Sequence, residues 1–405
     1  MRKFASYALS FVAAFTMLGT LCAQEYAPLV QKDVTSIVRV NLNKLDPERL
    51  GAQVEKLGAA AIDYFAPEMK NADDFKKALP TANLFISRFH KDYVAPLTAS
   101  GVANVYFFAS VSSNGDSVFP YAAIPIKLLN DDQLDAVRAL LKKVNRQVEE
   151  SISYRFERDG FFFLPIIPEN VSKSSAQDYV DNYFAKIEAV DPELFVEGFK
   201  AVDADDAVIS GVSIMNSNHQ LLQDQKERLL KVVSDIDDDD DDDLIVAAKD
   251  LLKFTAEFGE KESKLIEYSA WAINVDKLEL VSLVQANSRD DAKSYLELVE
   301  SELLGKINNF IDACERRAVR DIDRDDDRDE LNEAEIKTLA SAFKELLPIL
   351  LAYDRDGARL VKKLDGKFFD ANKGKLQDFA QKIADAYKKL QRNAIDEMND
   401  ELYDD

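Results

Sequence analysis

"VANVYFFASV", residues 102–111, alternates with no polar side: Val105, Phe107 and Ala109 fall on one face of a strand, Tyr106 and Phe108 on the other. "VFPYAAIPIKL" follows across "SSNGDS", where Asn114 and Gly115 signal a tight hairpin turn. Phe119 and Tyr121 share one side of that second strand. A single layer of helices covers one face of such a hairpin, so the other must meet a second lobe, a partner or a ligand. Tyr106, Phe108, Phe119 and Tyr121 are the candidate contact residues, for packing of lobe on lobe or for a binding or oligomer surface.

Reading outward, "SIVRVNL" at 36–42 is strand-like, and Asp46 with Pro47 opens an amphipathic helix striped by Leu50, Val54, Leu57 and Ala61. A second helical stretch runs from about Asp73 into the eighties. After the hairpin, "NDDQLDAVRALLKKV" begins with Asn130 and Gln133 spaced as a capping box. A further hairpin, "ISYRFERDGFFFLPI", turns at Asp159 and Gly160, and a helix follows from about Ser175.

The second half repeats this order. "DAVISGVSIM" is a strand, helical runs follow, and "KLIEYSAWAINV" with "KLELVSLVQAN" forms a hairpin holding Trp271, the only tryptophan. Asp290 and Asp291 of "SRDDAKSYLELVESEL" answer Asp131 and Asp132, and an Asp-Gly turn at Asp365 and Gly366 answers Asp159 and Gly160. Three echoes in one order point to an internal duplication. The growing offset between the halves places an insertion at 305–352. The expected fold is α+β, with two tandem related lobes, 24–200 and 201–405. Each is an antiparallel, ferredoxin-like (split βαβ) sheet with helices on one face, and the second carries the helical insertion and a long C-terminal helix. That last helix stripes Leu376, Phe379, Ile383, Tyr387 and Leu390, the pattern of a helix docked along one side.

Residues 1–23 have a basic head at Arg2 and Lys3, an apolar run to Leu21 and small residues near Ala23, which read as a secretory signal peptide cleaved there. Lipid attachment at Cys22 is disfavoured, because Leu21 stands where Gly, Ala or Ser is wanted. The formal charge of the whole chain is −23, and it becomes two units more negative once Arg2 and Lys3 are removed. Such a surface repels nucleic acid and anionic membranes. Only Cys314 then remains, so no intrachain disulfide forms. The expected location is the bacterial periplasm or exterior.

Seven consecutive aspartates, Asp237 to Asp243, lie between two helical runs, where the first half has "APEMKNADDF". Carboxylates this close cannot be desolvated together, so the tract is a solvated connector, binding calcium weakly and diffusely at most. A better-spaced set is Asp321, Asp323, Asp325, Asp327 and Asp329, but an EF-hand beginning at Asp321 needs Gly and Glu where Asp326 and Asn332 stand.

Enzyme signatures are thin. His90 and His219 are far apart, glycine-rich phosphate loops are absent, and "SAFK" at 341–344 has no KTG partner. The sequence therefore favours a non-enzymatic binding or structural protein. Calcium-dependent adhesion and a hydrolase without a recognisable motif are the alternatives, and Trp271 is a further candidate contact residue.

Overall fold

The computed structural model describes residues 34–65, 72–111, 118–147, 156–158, 160–165, 193–214, 219–235, 243–322 and 331–403. The signal segment, the Asn114–Gly115 turn, the expected helix from Ser175 and the aspartates 237–242 lie outside them, as do Asp323, Asp325, Asp327 and Asp329. The side chains of Phe119 and Asp321 are also outside the description, although their backbones belong to a strand and a helix.

The first half runs β1 (Val34–Asn41), α1 (Pro47–Phe65), α2 (Ala72–Phe89), α3 (Ala95–Ala99), β2 (Asn104–Val111), β3 (Val118–Pro125), α4 (Asp131–Gln147), β4 (Phe156–Arg158), β5 (Phe161–Pro165) and α5 (Glu193–Ala201). The second half runs β6 (Ile209–Ile214), α6 (His219–Asp235), α7 (Asp243–Leu265), β7 (Ile266–Asn274), β8 (Glu279–Ala286), α8 (Arg289–Glu297), α9 (Leu304–Ile322), α10 (Glu333–Leu351), β9 (Asp354–Asp356), β10 (Arg359–Leu364) and α11 (Gly366–Tyr403).

Local chemistry fixes several starts. Asp46 accepts hydrogen bonds from the amides of Glu48 and Arg49 beneath α1. Asn130 and Gln133 exchange side-chain to backbone hydrogen bonds, both 2.9 Å, ahead of α4. Gly160 turns β4 into β5 at φ +84°, where a Cβ would come within 2.8 Å of Lys127 Cβ.

All ten described strands join one antiparallel sheet in the order β4-β5-β3-β2-β1-β6-β7-β8-β10-β9. Two separate lobe sheets were the expectation. The halves instead merge, because β1 pairs with β2 on one edge and with β6 on the other. Outward from that seam the first half reads β1-β2-β3-β5-β4 and the second β6-β7-β8-β10-β9, the same order.

The ferredoxin-like expectation also needs correcting. In each half a helical crossover, α4 in the first and α8 to α10 in the second, joins two parallel strands that flank a third, with β5 between β3 and β4 and β10 between β8 and β9. The first connection differs, since a single helix would return the chain parallel to its starting strand. Here the intervening helices, α1 to α3 in the first half and α6–α7 in the second, deliver an antiparallel neighbour: β2 beside β1, and β7 beside β6.

Helices pack on both faces rather than on one. Phe195 and Phe199 of α5 cluster with Ile37, Tyr106, Phe108, Tyr121, Phe163, Val212 and Tyr268 on what we call the α5 face. On the opposite face, Val137 and Leu141 of α4 cover Ile124 and Phe162, while Ala292 and Tyr295 of α8 cover Val284 and Leu360. Polar contacts line the seam as well. The Ser36 and Ser213 hydroxyls meet at 2.7 Å, and Arg39 donates to Asn104 and to Asp205, each at 2.7 Å.

Candidate functional site

Of the four aromatic candidates, the three whose side chains are described do not form an open platform. Tyr106, Phe108 and Tyr121 are 1–2% exposed. Phe108 and Tyr121 stack at 4.8 Å between ring centroids, and Phe163 leans on Tyr121 at 5.9 Å. They belong to the core beneath α5, so burial accounts for their aromatic character without a ligand.

The open face is the other one. Strand pairing brings Phe107, Val38, Gly211, Trp271, Ser282 and Lys362 into a row across β2, β1, β6, β7, β8 and β10, all on the face that carries α4 and α8. Phe107 is 42% exposed although its strand lies inside a ten-stranded sheet. Val38, Trp271, Ser282 and Lys362 are half-buried. α4 covers one end of this face and α8 the other, and the row between them remains partly accessible. Of the sequence candidates, Trp271 alone is described in this row.

Polar chemistry concentrates at the Lys362 end. The Lys362 ammonium lies 5.7 Å from the centroid of the Tyr353 ring, and the Tyr353 hydroxyl lies beside Ser282. Burial lowers the Lys362 pKa to about 8 and raises that of Tyr353. Deeper, between α7 and α8, the Tyr295 hydroxyl donates to Glu262 at 3.3 Å. Burial pushes the Glu262 carboxyl up to about 7, the hydrogen bond from Tyr295 opposing it. Burial and the neighbouring Glu262 charge hold Tyr295 well above the usual phenol range.

Phe107 and Lys362 were the signals available in the sequence. Phe107 stands in the stretch quoted at the outset, on the face opposite Tyr106 and Phe108. In "RLVKKL" the alternation puts Lys362 on the side of Leu360 and Leu364, an apolar side for a cation.

The remaining candidates have ordinary partners or fall outside the description. Ser341 of the SxxK tetrad donates to Glu345, and Lys344 pairs with Asp312. Asp243, the last residue of the aspartate tract, opens α7 and pairs with Arg316 of α9 at 3.1 Å. Among the described residues no group of three or more His, Cys, Asp or Glu could hold a metal ion, and no helix is long and apolar enough to cross a membrane.

The arrangement defines an α+β protein with one continuous antiparallel sheet and a partly open central face. No family model, curated protein or solved structure matches this chain.

Proposed function

We propose that this is an exported, non-catalytic binding protein, built from two tandem copies of one five-stranded unit, whose working surface is the central row on the α4/α8 face. The single observation that carries the proposal is Phe107, 42% exposed in the interior of the sheet and in line with half-buried Trp271. Aromatic surface left in water costs free energy in the unbound state, and a contact that covers it recovers that cost. The shared outward strand order of the two halves supports the duplication, and residues 1–23 support export. Neither the adhesion reading nor the hydrolase reading has a side-chain arrangement behind it among the described residues.

The test uses Nile red, an uncharged apolar dye, with the full chain from Gln24 onward. Saturable binding is expected, with most of it lost in Phe107→Ser while the urea midpoint stays close to wild type. Binding indifferent to Phe107, or no binding by the folded protein, would overturn the reading.

A further inference from the structure

We propose that the Lys362 end of this row binds the carboxylate of a monoanionic amphiphile taken from solution, with the ligand's apolar body lying toward Trp271 and Phe107. This rests on the binding reading above and names the ligand class for the same surface.

The first argument is charge complementarity. Acidic residues outnumber basic ones 74 to 51, so a lysine in this chain has no shortage of carboxylates to pair with. Its neighbour Lys363, on the opposite side of β10, reaches Glu279 at 3.0 Å. Lys362 has no carboxylate partner among the described residues, and its ammonium lies over the Tyr353 ring instead. A half-buried ammonium pays for desolvation that an exposed one avoids, and a contact with an aromatic ring returns part of that cost. A carboxylate arriving on Nζ returns more, because a charge-assisted hydrogen bond is among the stronger polar contacts.

The second argument is what lies next to the cation. Ser282 separates Lys362 from Trp271 in the row, two strand spacings or about 10 Å. Beyond Trp271, Gly211 contributes no side chain and Val38 and Phe107 are apolar. A cation at one end and an apolar floor beyond it fit a ligand with an anionic head and an apolar tail. The chain's net charge of −23 disfavours polyanions and anionic membrane surfaces, whereas a single carboxylate loses little to that field.

Trp271 is the only tryptophan, so its emission reports on this surface alone. Decanoate and its uncharged counterpart decan-1-ol are titrated against wild type and Lys362→Met, each followed by Trp271 fluorescence. Decanoate is expected to shift the emission saturably and to bind at least tenfold more tightly than decan-1-ol. Lys362→Met should bring decanoate down to the level of the alcohol, leave the alcohol unchanged and keep or raise the urea midpoint. Equal binding of the two probes, unaffected by Lys362→Met, overturns the inference while leaving the apolar surface standing. No response to either probe also overturns it, and the Nile red result with Phe107→Ser then decides separately whether the binding reading survives.

Discussion

Gly198 of α5 lies against Val212 of β6 so closely that a Cβ on the glycine would stand 2.7 Å from both γ-carbons of the valine. The same Cβ would approach Tyr268 at 3.2 Å. The missing side chain lets α5 settle on the sheet near the seam and seal Phe108, Tyr121 and Phe163.

Gly198→Ala is therefore expected to destabilise by about 1–3 kcal/mol through overpacking, although alanine is the better helix former by about 1 kcal/mol. The urea midpoint measures this, and Val212→Ala in the same background should recover part of the loss. A neutral or stabilising Gly198→Ala would mean that α5 lies further from the sheet.

Glu262 titrates near 7 in the fold against about 4.5 in the open chain. Its folded pKa is raised, so the folded state holds the extra proton between those values and stability from this group falls as pH rises through that window. The contribution is up to about 3 kcal/mol. Glu262→Gln should flatten the decline between pH 5 and pH 8 in urea unfolding and leave the variant more stable than wild type at pH 8. Parallel pH profiles for the two proteins would exclude the buried carboxyl.

Arg39 and Asp205 form one ion pair with unequal surroundings, the arginine side chain 9% exposed and the aspartate 98%. Removing the buried member deprives Asn104 of its Nε donor, at a cost of about 1–3 kcal/mol, whereas the solvated aspartate is worth less than about 1 kcal/mol. Arg39→Met should therefore lower the melting temperature clearly and Asp205→Asn only slightly. Equal losses would show that the pair, and not the burial of Arg39, matters.

The aspartate tract connects α6, ending at Asp235, to α7, beginning at Asp243. Calorimetry with calcium up to millimolar concentrations is expected to give no saturable heat, and a chelator should leave the melting temperature unchanged. Saturable heat at one ion per chain would make the tract, or the aspartates from Asp321 to Asp329, a dedicated site.

Several elements were legible because their signals are local. The Asn130–Gln133 capping box, the glycine turn at 160 and the period-2 strands 104–111 and 266–274 follow from side chains acting within a few residues of themselves. The open face was half legible. Alternation in "NVYFFASV" says that both sides are apolar, but which side is covered depends on α5, a helix some 90 residues further along the chain. The buried character of Lys362 was written in the alternation of "RLVKKL", and its lack of a carboxylate partner among the described residues was not.

The sequence by itself determined the character of the pieces: a succession of strands and helices, a strongly acidic composition, one tryptophan, and two apolar faces on the 104–111 strand. Only the tertiary structure decided that β1 and β6 hydrogen-bond edge to edge, which turns two expected sheets into one and leaves Phe107, Trp271 and Lys362 in a single row. The reason is physical. Periodicity is imposed by the backbone next to each residue, whereas strand order and the covering of a face depend on which distant backbone edge and which distant helix satisfy the exposed groups, and no short window of sequence records that choice.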